Sequence, residues 1–289
     1  MKVLPESVWQ WHGPIDGPGV LVFGGIHGNE VTGVRLVEEL RRDVDAGTLS
    51  LAAGTLTLAI GNPLAVERNA RGSEPYADLN RLFSPSALDG AGTSYETVRA
   101  RELAPLIAAA DVLIDLHATN KPSDPFLACV NDTPRHRELC RFFTCEKMLF
   151  IPDSIIPGTT DAYVDAHGGI GICFESGWVG DFSRVGEMRT AVDGMLAYLG
   201  LVPGNATLPP DDGRAAYMVT ETVVLDDRGF AFATGRGTRS FEPFVPGDLI
   251  GTRGTDQVLA PYDGVLVFPK VPELWKVGSP VGFFAKRIS

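Results

Sequence analysis

The chain has 289 residues, 44% of them hydrophobic and 21% charged, with a formal net charge of −11 and four cysteines. Its length admits one large domain or two smaller ones, and its acidity excludes nucleic acid as the principal partner, because phosphate binding needs a basic face. No apolar run approaches the ~20 residues that span a bilayer and the N-terminus lacks the apolar core of a signal peptide, so a cytoplasmic protein without membrane contact is expected.

The first apolar run, residues 19–26, ends in Gly24-Gly25-Ile26 and reads as a buried strand. His27-Gly28-Asn29-Glu30 follows, in the turn that opens a helix over residues 30–45 with Val31, Val34, Leu36, Val37 and Leu40 on one face. A histidine and a glutamate three apart at such a turn reach one metal ion. Catalytic zinc usually takes three protein ligands and keeps one position open, so a third ligand is sought elsewhere.

Residues 54–60 read as a second strand, stopped by Gly61-Asn62-Pro63. Residues 62–93, rich in Gly, Pro, Ser and Asn, read as a long functional loop. That loop holds Arg68, Arg71 and Arg81. They either build an anion pocket or lie on a solvated surface, the usual fate of arginine. A helix is expected over 93–110, with Glu96, Arg99, Arg101 and Glu102 on exposed faces and Pro105 kinking or interrupting it.

Residues 111–117 form another apolar run with a polar end, Asp115-Leu116-His117. Further strands are expected at 126–130 and 171–174, and a helix at 184–199. Alternating strands and helices imply a mostly parallel sheet covered on both faces. In such sheets ligands bind beyond the carboxyl ends of the strands, so His27, Glu30 and His117 converge there as a zinc set. Glu175, at another strand end, is either the carboxylate that moves a proton for a zinc-activated water or a buried glutamate with a structural partner. Of the other histidines, His12 reads as solvated, His136 as part of a polar helix with Arg135 and Arg137, and His167 as structural. Cys129, Cys140, Cys145 and Cys173 have no CxxC spacing and read as free thiols.

The composition shifts at 199–213, which is rich in Pro, Gly and Asp. The division expected is a catalytic domain over 1–204, a linker over 205–213 and a small all-β domain over 214–289, with short strands at 216–225, 249–251, 264–268 and 281–285.

Gly24-Gly25-Ile26-His27-Gly28-Asn29-Glu30, Gly61-Asn62-Pro63, Asp78-Leu79-Asn80-Arg81-Leu82-Phe83, Asp115-Leu116-His117 and Glu175-Ser176-Gly177 together resemble the succinylglutamate desuccinylase/aspartoacylase family, within the wider zinc carboxypeptidase-like group. Residues 99–103 resemble the desuccinylase helix, and 262–278 its β domain. The resemblance implies an α/β fold: a zinc-carboxypeptidase-like mixed, mostly parallel sheet flanked by helices, with a small all-β C-terminal domain. It implies one zinc per chain on His27, Glu30 and His117, with Glu175 as general base and acid. Arg71 would stabilise the oxyanion, and Asn80 and Arg81 would grip a substrate carboxylate. The reaction implied is hydrolysis of a small N-acyl amino acid. A zinc carboxypeptidase acting on a peptide and a non-catalytic metal-binding module are the alternatives. The acyl group, the amino acid and the oligomeric state stay open, a homo-oligomer included. Asp165 stands where characterised members carry an arginine for substrate carboxylates, so it is expected to repel a carboxylate, with Arg184 as the candidate replacement cation. Leu274-Trp275 stands where aspartoacylase uses a tyrosine.

Overall fold

The computed structural model describes residues 3–211 and 213–289. In chain order the elements are β1 (Val8–His12), β2 (Gly19–Gly24), α1 (Val31–Asp45), β3 (Thr55–Ile60), α2 (Pro63–Glu67), a 3-10 turn at Leu79–Arg81, α3 (Pro85–Leu88), α4 (Tyr95–Ala108), β4 (Val112–Thr119), β5 (Phe126–Cys129), α5 (Pro134–Cys140), β6 (Lys147–Phe150), α6 (Thr160–Ala166), β7 (Ile170–Trp178) and α7 (Val185–Tyr198). The remainder adds β8 (Ala215–Val224), β9 (Ala231–Phe232), β10 (Glu242–Phe244), β11 (Leu249–Arg253), β12 (Asp256–Leu259), β13 (Gly264–Val267) and β14 (Pro280–Arg287).

The apolar runs become the centre of a mixed sheet in the order β1-β3-β2-β4-β7-β5-β6-β8-β14-β13-β10. Strands β3, β2, β4 and β7 run parallel, with His117 opposite Glu175 in the register of β4 and β7. A parallel strand is covered on both faces, which is why β4 is buried at every position, including Asp115, His117 and Thr119, which alternate with Leu116 and Ala118. Successive side chains of β2 enter opposite cores. Val20 and Val22 pack with Leu36, Leu40 and Val192 of α1 and α7, while Leu21 and Phe23 pack with Leu103 and Ile107 of α4 and Val164 of α6. Helices therefore flank the sheet on both sides.

Beyond residue 213, β8 pairs in parallel with β6, Met148 opposite Ala216, and antiparallel with β14. The main ladder thus continues through the Pro- and Gly-rich segment into the C-terminal strands. One hydrophobic cluster joins Phe126 and Leu149 to Val219, Val265, Val267 and Phe283. A separate three-stranded sheet, β12-β11-β9, stands beside it. Helix α4 runs unbroken through Pro105. Two of its four polar residues expected outside are buried: Arg99 and Glu96 are each 2% exposed. No helix among the described residues is long and apolar enough to cross a membrane.

Candidate active site

The turn after β2 sets the first two ligand candidates. Gly24 lets α1 close on the strand end, because a Cβ there would lie 2.3 Å from the carbonyl carbon of Gly33. Gly28 passes α2 as closely, with a Cβ meeting Ala65 at 1.9 Å. Glu30 precedes α1 but makes no capping bond with its side chain. Its carboxylate instead points to both histidines, Oε1 at 2.9 Å from His27 Nδ1 and Oε2 at 2.8 Å from His117 Nδ1. The Ala118 amide donates to Oε2 at 3.1 Å. Burial opposes the charge on Glu30, yet His27 and His117 hold its carboxyl well below the usual carboxylate range.

Each histidine is backed by an aspartate. His27 Nε2 lies 3.1 Å from Asp78 Oδ1, and His117 Nε2 lies 3.0 Å from Asp115 Oδ2. Thr160 Oγ1 donates to that same Asp115 oxygen at 2.6 Å. Burial lowers the affinity of His117 for a proton, but Asp115 and Glu30 raise it well above the ordinary histidine value. Two buried imidazole Nδ1 atoms and a buried carboxylate thus face one point, with ligand atoms within 4.8 Å of one another. Two nitrogens and a carboxylate oxygen, with acids behind both rings, are a donor set that fits a zinc ion with one position left for other ligands.

Around this triad stand the other expected residues. Glu175, opposite His117 on β7, is buried and its Oε2 has no hydrogen-bond partner among the described residues. Burial pushes its pKa up to about 8, with Glu30 adding to the rise and His117 and Arg71 opposing it. Arg71 donates from Nη2 to Asp78 Oδ2 at 3.0 Å and approaches Glu30 Oε1 at 3.5 Å. Asp78 also caps the 3-10 turn by accepting from the Asn80 amide at 3.0 Å. Asn80 Oδ1 accepts from the Thr160 amide at 2.8 Å, and Arg81 lies 4.0 Å from Asp78. His27, Glu30, Arg71, Asn80, Arg81, His117 and Glu175 all line one cavity.

Residues 16–200 match the model of the succinylglutamate desuccinylase/aspartoacylase catalytic domain. The chain belongs to this family. Its similar relatives include a probable aspartoacylase from Nostoc sp., 34% identical over 131 residues, which is 43% of each chain. A succinylglutamate desuccinylase from Pseudomonas aeruginosa is 46% identical over 88 residues, 30% of this chain and 25% of the relative. The alignments therefore span less than half of these relatives. The solved succinylglutamate desuccinylase from Vibrio cholerae shares the fold at TM-score 0.79 and 20% identity, covering 97% of this chain and 85% of that one.

Within this family fold, several sequence expectations change. Asp165 is not in the cavity lining; its carboxylate is turned inward, accepting from Asn131 at 2.6 Å and the Gly171 amide at 2.7 Å, 3.0 Å from His136 Nε2. It staples α6 to α5 and β7 and is not among the residues that line the cavity. Arg184 pairs with Glu187 at 2.7 Å and is no replacement cation. Arg68 pairs with Glu74 at 3.1 Å, outside the anion pocket. His136 is buried rather than part of a polar surface. His12 is exposed, and His167 caps α6 away from the cavity. No disulfide joins the cysteines among the described residues, and Cys173 lines the cavity. Trp275 packs against Phe230 and Phe232. Sequence reasoning missed Asp161, Lys121, Ser240 and Lys270, which also line the cavity. Only Asp161, four residues before Asp165 on the same helix, carried a readable signal.

Proposed function

We propose that the chain is a zinc-dependent amidohydrolase that removes the acyl group from a small N-acyl amino acid. The observation that carries this reading is the unpartnered carboxylate of Glu175 beside a metal-binding triad and a fixed arginine. His27, Glu30 and His117 would hold the ion. Bound there, zinc supplies a Lewis acid that polarises a carbonyl and lowers the pKa of water toward ~7.

The chain's own residues supply the rest. Glu175 accepts the proton of the attacking water as that water adds to the amide carbonyl. It then returns the proton to the departing nitrogen as the C–N bond breaks, leaving a carboxylic acid and a free amino acid. Arg71, tethered through Asp78, holds a positive charge where the carbonyl oxygen becomes an oxyanion. Asn80 and Arg81 grip the substrate carboxylate, the arginine by its planar fork.

Zinc analysis of purified protein, with hydrolysis of an N-acetyl and N-succinyl amino acid panel, tests the reading. Stoichiometric zinc and turnover in the native chain, both lost in His117→Ala, are expected. Full turnover in that variant, or a metal-free active protein, would sink it.

A further inference from the structure

Two lysines of the cavity lining lie outside the site just described: Lys121, whose ammonium donates to the Gly237 carbonyl and lies over the Phe232 ring, and Lys270. Lys270 follows β13 on a segment fixed at several points. The Phe268 amide donates to Ser240 Oγ at 3.1 Å, the Lys270 amide to Val281 O at 2.9 Å, and Trp275 Nε1 to Lys270 O at 3.1 Å. The half-buried ammonium lines the cavity within the fields of Arg71 and Arg81. Among the described residues no carboxylate lies within 4.0 Å of it. Asp78, the acid near both arginines, is already engaged by Arg71 and His27. A partly desolvated ammonium beside two guanidiniums is costly until an anion arrives. Burial and the two arginines push its pKa down to about 8, so it keeps its proton at neutral pH.

Two further observations narrow the ligand. Asp161 lines the same cavity, is 8% exposed, and has no cation within ion-pair distance among the described residues. A second ligand carboxylate placed beside Asp161 would meet an acid that no cation neutralises. The cavity lining also includes the apolar side chains of Val130, Ile151, Ile156, Phe268 and Phe283.

We propose that Lys270 and Arg81 clamp the single carboxylate of an N-acyl amino acid whose apolar side chain lies against Ile151, Ile156 and Val130. This rests on the amidohydrolase reading and adds the substrate class. A charge-assisted contact of this kind is worth about 10- to 100-fold in binding.

The test uses the zinc-loaded full chain with N-acetyl-leucine, N-acetyl-phenylalanine and N-acetyl-aspartate, by steady-state kinetics and by calorimetric binding. Higher kcat/KM for the leucine and phenylalanine derivatives than for the aspartate derivative is expected. Lys270→Met should raise KM and Kd for N-acetyl-leucine about 10- to 100-fold, and Lys270→Arg should restore most of the loss. Preference for N-acetyl-aspartate, or a Kd unmoved by Lys270→Met, overturns the clamp while leaving amide hydrolysis intact. Lys270-dependent binding with no turnover of any N-acyl amino acid supports the clamp and overturns the amidohydrolase reading alone.

Discussion

His27 and His117 each turn Nδ1 to Glu30 and Nε2 to an aspartate, and this pairing makes Nδ1 the atom that would face a metal. Asp115 was legible in principle, because residues two apart on a strand share a face and it lies two before His117. Asp78 was not, since 51 residues separate it from His27 and only the folded loop joins them. Loss of such an outer acid typically costs ~10- to 100-fold in metal affinity. Asp115→Asn is therefore expected to weaken zinc binding by about that factor, read by chelator competition, with activity recovered in excess zinc. Unchanged affinity would remove Asp115 from the site. Asp161 carries a different cost. Burial raises its carboxyl from 3.8 to about 6, with the nearby Asp115 and Asp165 adding to the rise. Between those values the folded chain binds more protons than the unfolded one, so stability falls as pH rises through the window. The penalty is full above pH 6 and absent below the unfolded value. Asp161→Asn should then stabilise the protein at about pH 7.5 by up to about 3 kcal/mol, with the gain gone near pH 3.5. Urea unfolding at both pH values checks the sign. A buried charge that costs stability and faces the cavity is what a site kept for function looks like.

The strand ends were readable because β2, β4 and β7 are continuous apolar runs that stop at polar residues. The 62–93 stretch gave no period to read, and it folds through contacts distant in sequence. Glu96 accepts from the Ser73 amide at 2.6 Å and from Asn62 Nδ2 at 3.3 Å. Arg99 donates to the carbonyls of Gly61 at 2.7 Å, Ile60 at 2.9 Å and Glu6 at 2.8 Å. Reading α4 by residue type put both side chains in solvent, whereas backbone carbonyls and amides left over by the irregular loop draw them in. Strand β6, Lys147-Met148-Leu149-Phe150, shows no alternation and has no glycine or proline at its start to mark it, and it was not foreseen. Arg99→Met would leave three carbonyls without their donor. Each orphaned buried group costs ~1–3 kcal/mol, so a destabilisation of about 3 kcal/mol or more is expected from the shift in urea midpoint. Glu102→Ala, on the exposed side of the same helix, should stay within about 0.5 kcal/mol. Equal effects of the two substitutions would contradict the bracing role of Arg99.

At the scale of the whole molecule, the ladder that begins with β1 does not end at the Pro- and Gly-rich segment. Strand β6 is hydrogen-bonded to β8, and Phe126 and Leu149 are covered by Val219, Val265, Val267 and Phe283. Composition marked a change of character at this point, but the pairing of residues 147–150 with 215–218 has no local signature. The C-terminal strands also bring Ser240, Phe268 and Lys270 to the cavity wall. A chain cut after residue 213 would therefore lose the cover of one core and expose β6 as an edge strand. Uncovering a large apolar side chain forfeits ~1.5–3 kcal/mol, and a few of them reach the 5–15 kcal/mol that holds a typical domain together. Exposed edges also pair with other chains. The full-length protein is expected to melt in one transition, and the 1–213 fragment to aggregate or bind a hydrophobic dye without a cooperative transition. Circular dichroism melts and size-exclusion chromatography of both chains decide the matter. A monomeric fragment melting within a few degrees of the full chain would mean that the first seven strands of the sheet hold together without the C-terminal ladder. The cavity would then be completed by a separable module, and loss of Lys270 with it would change substrate binding without unfolding the metal triad.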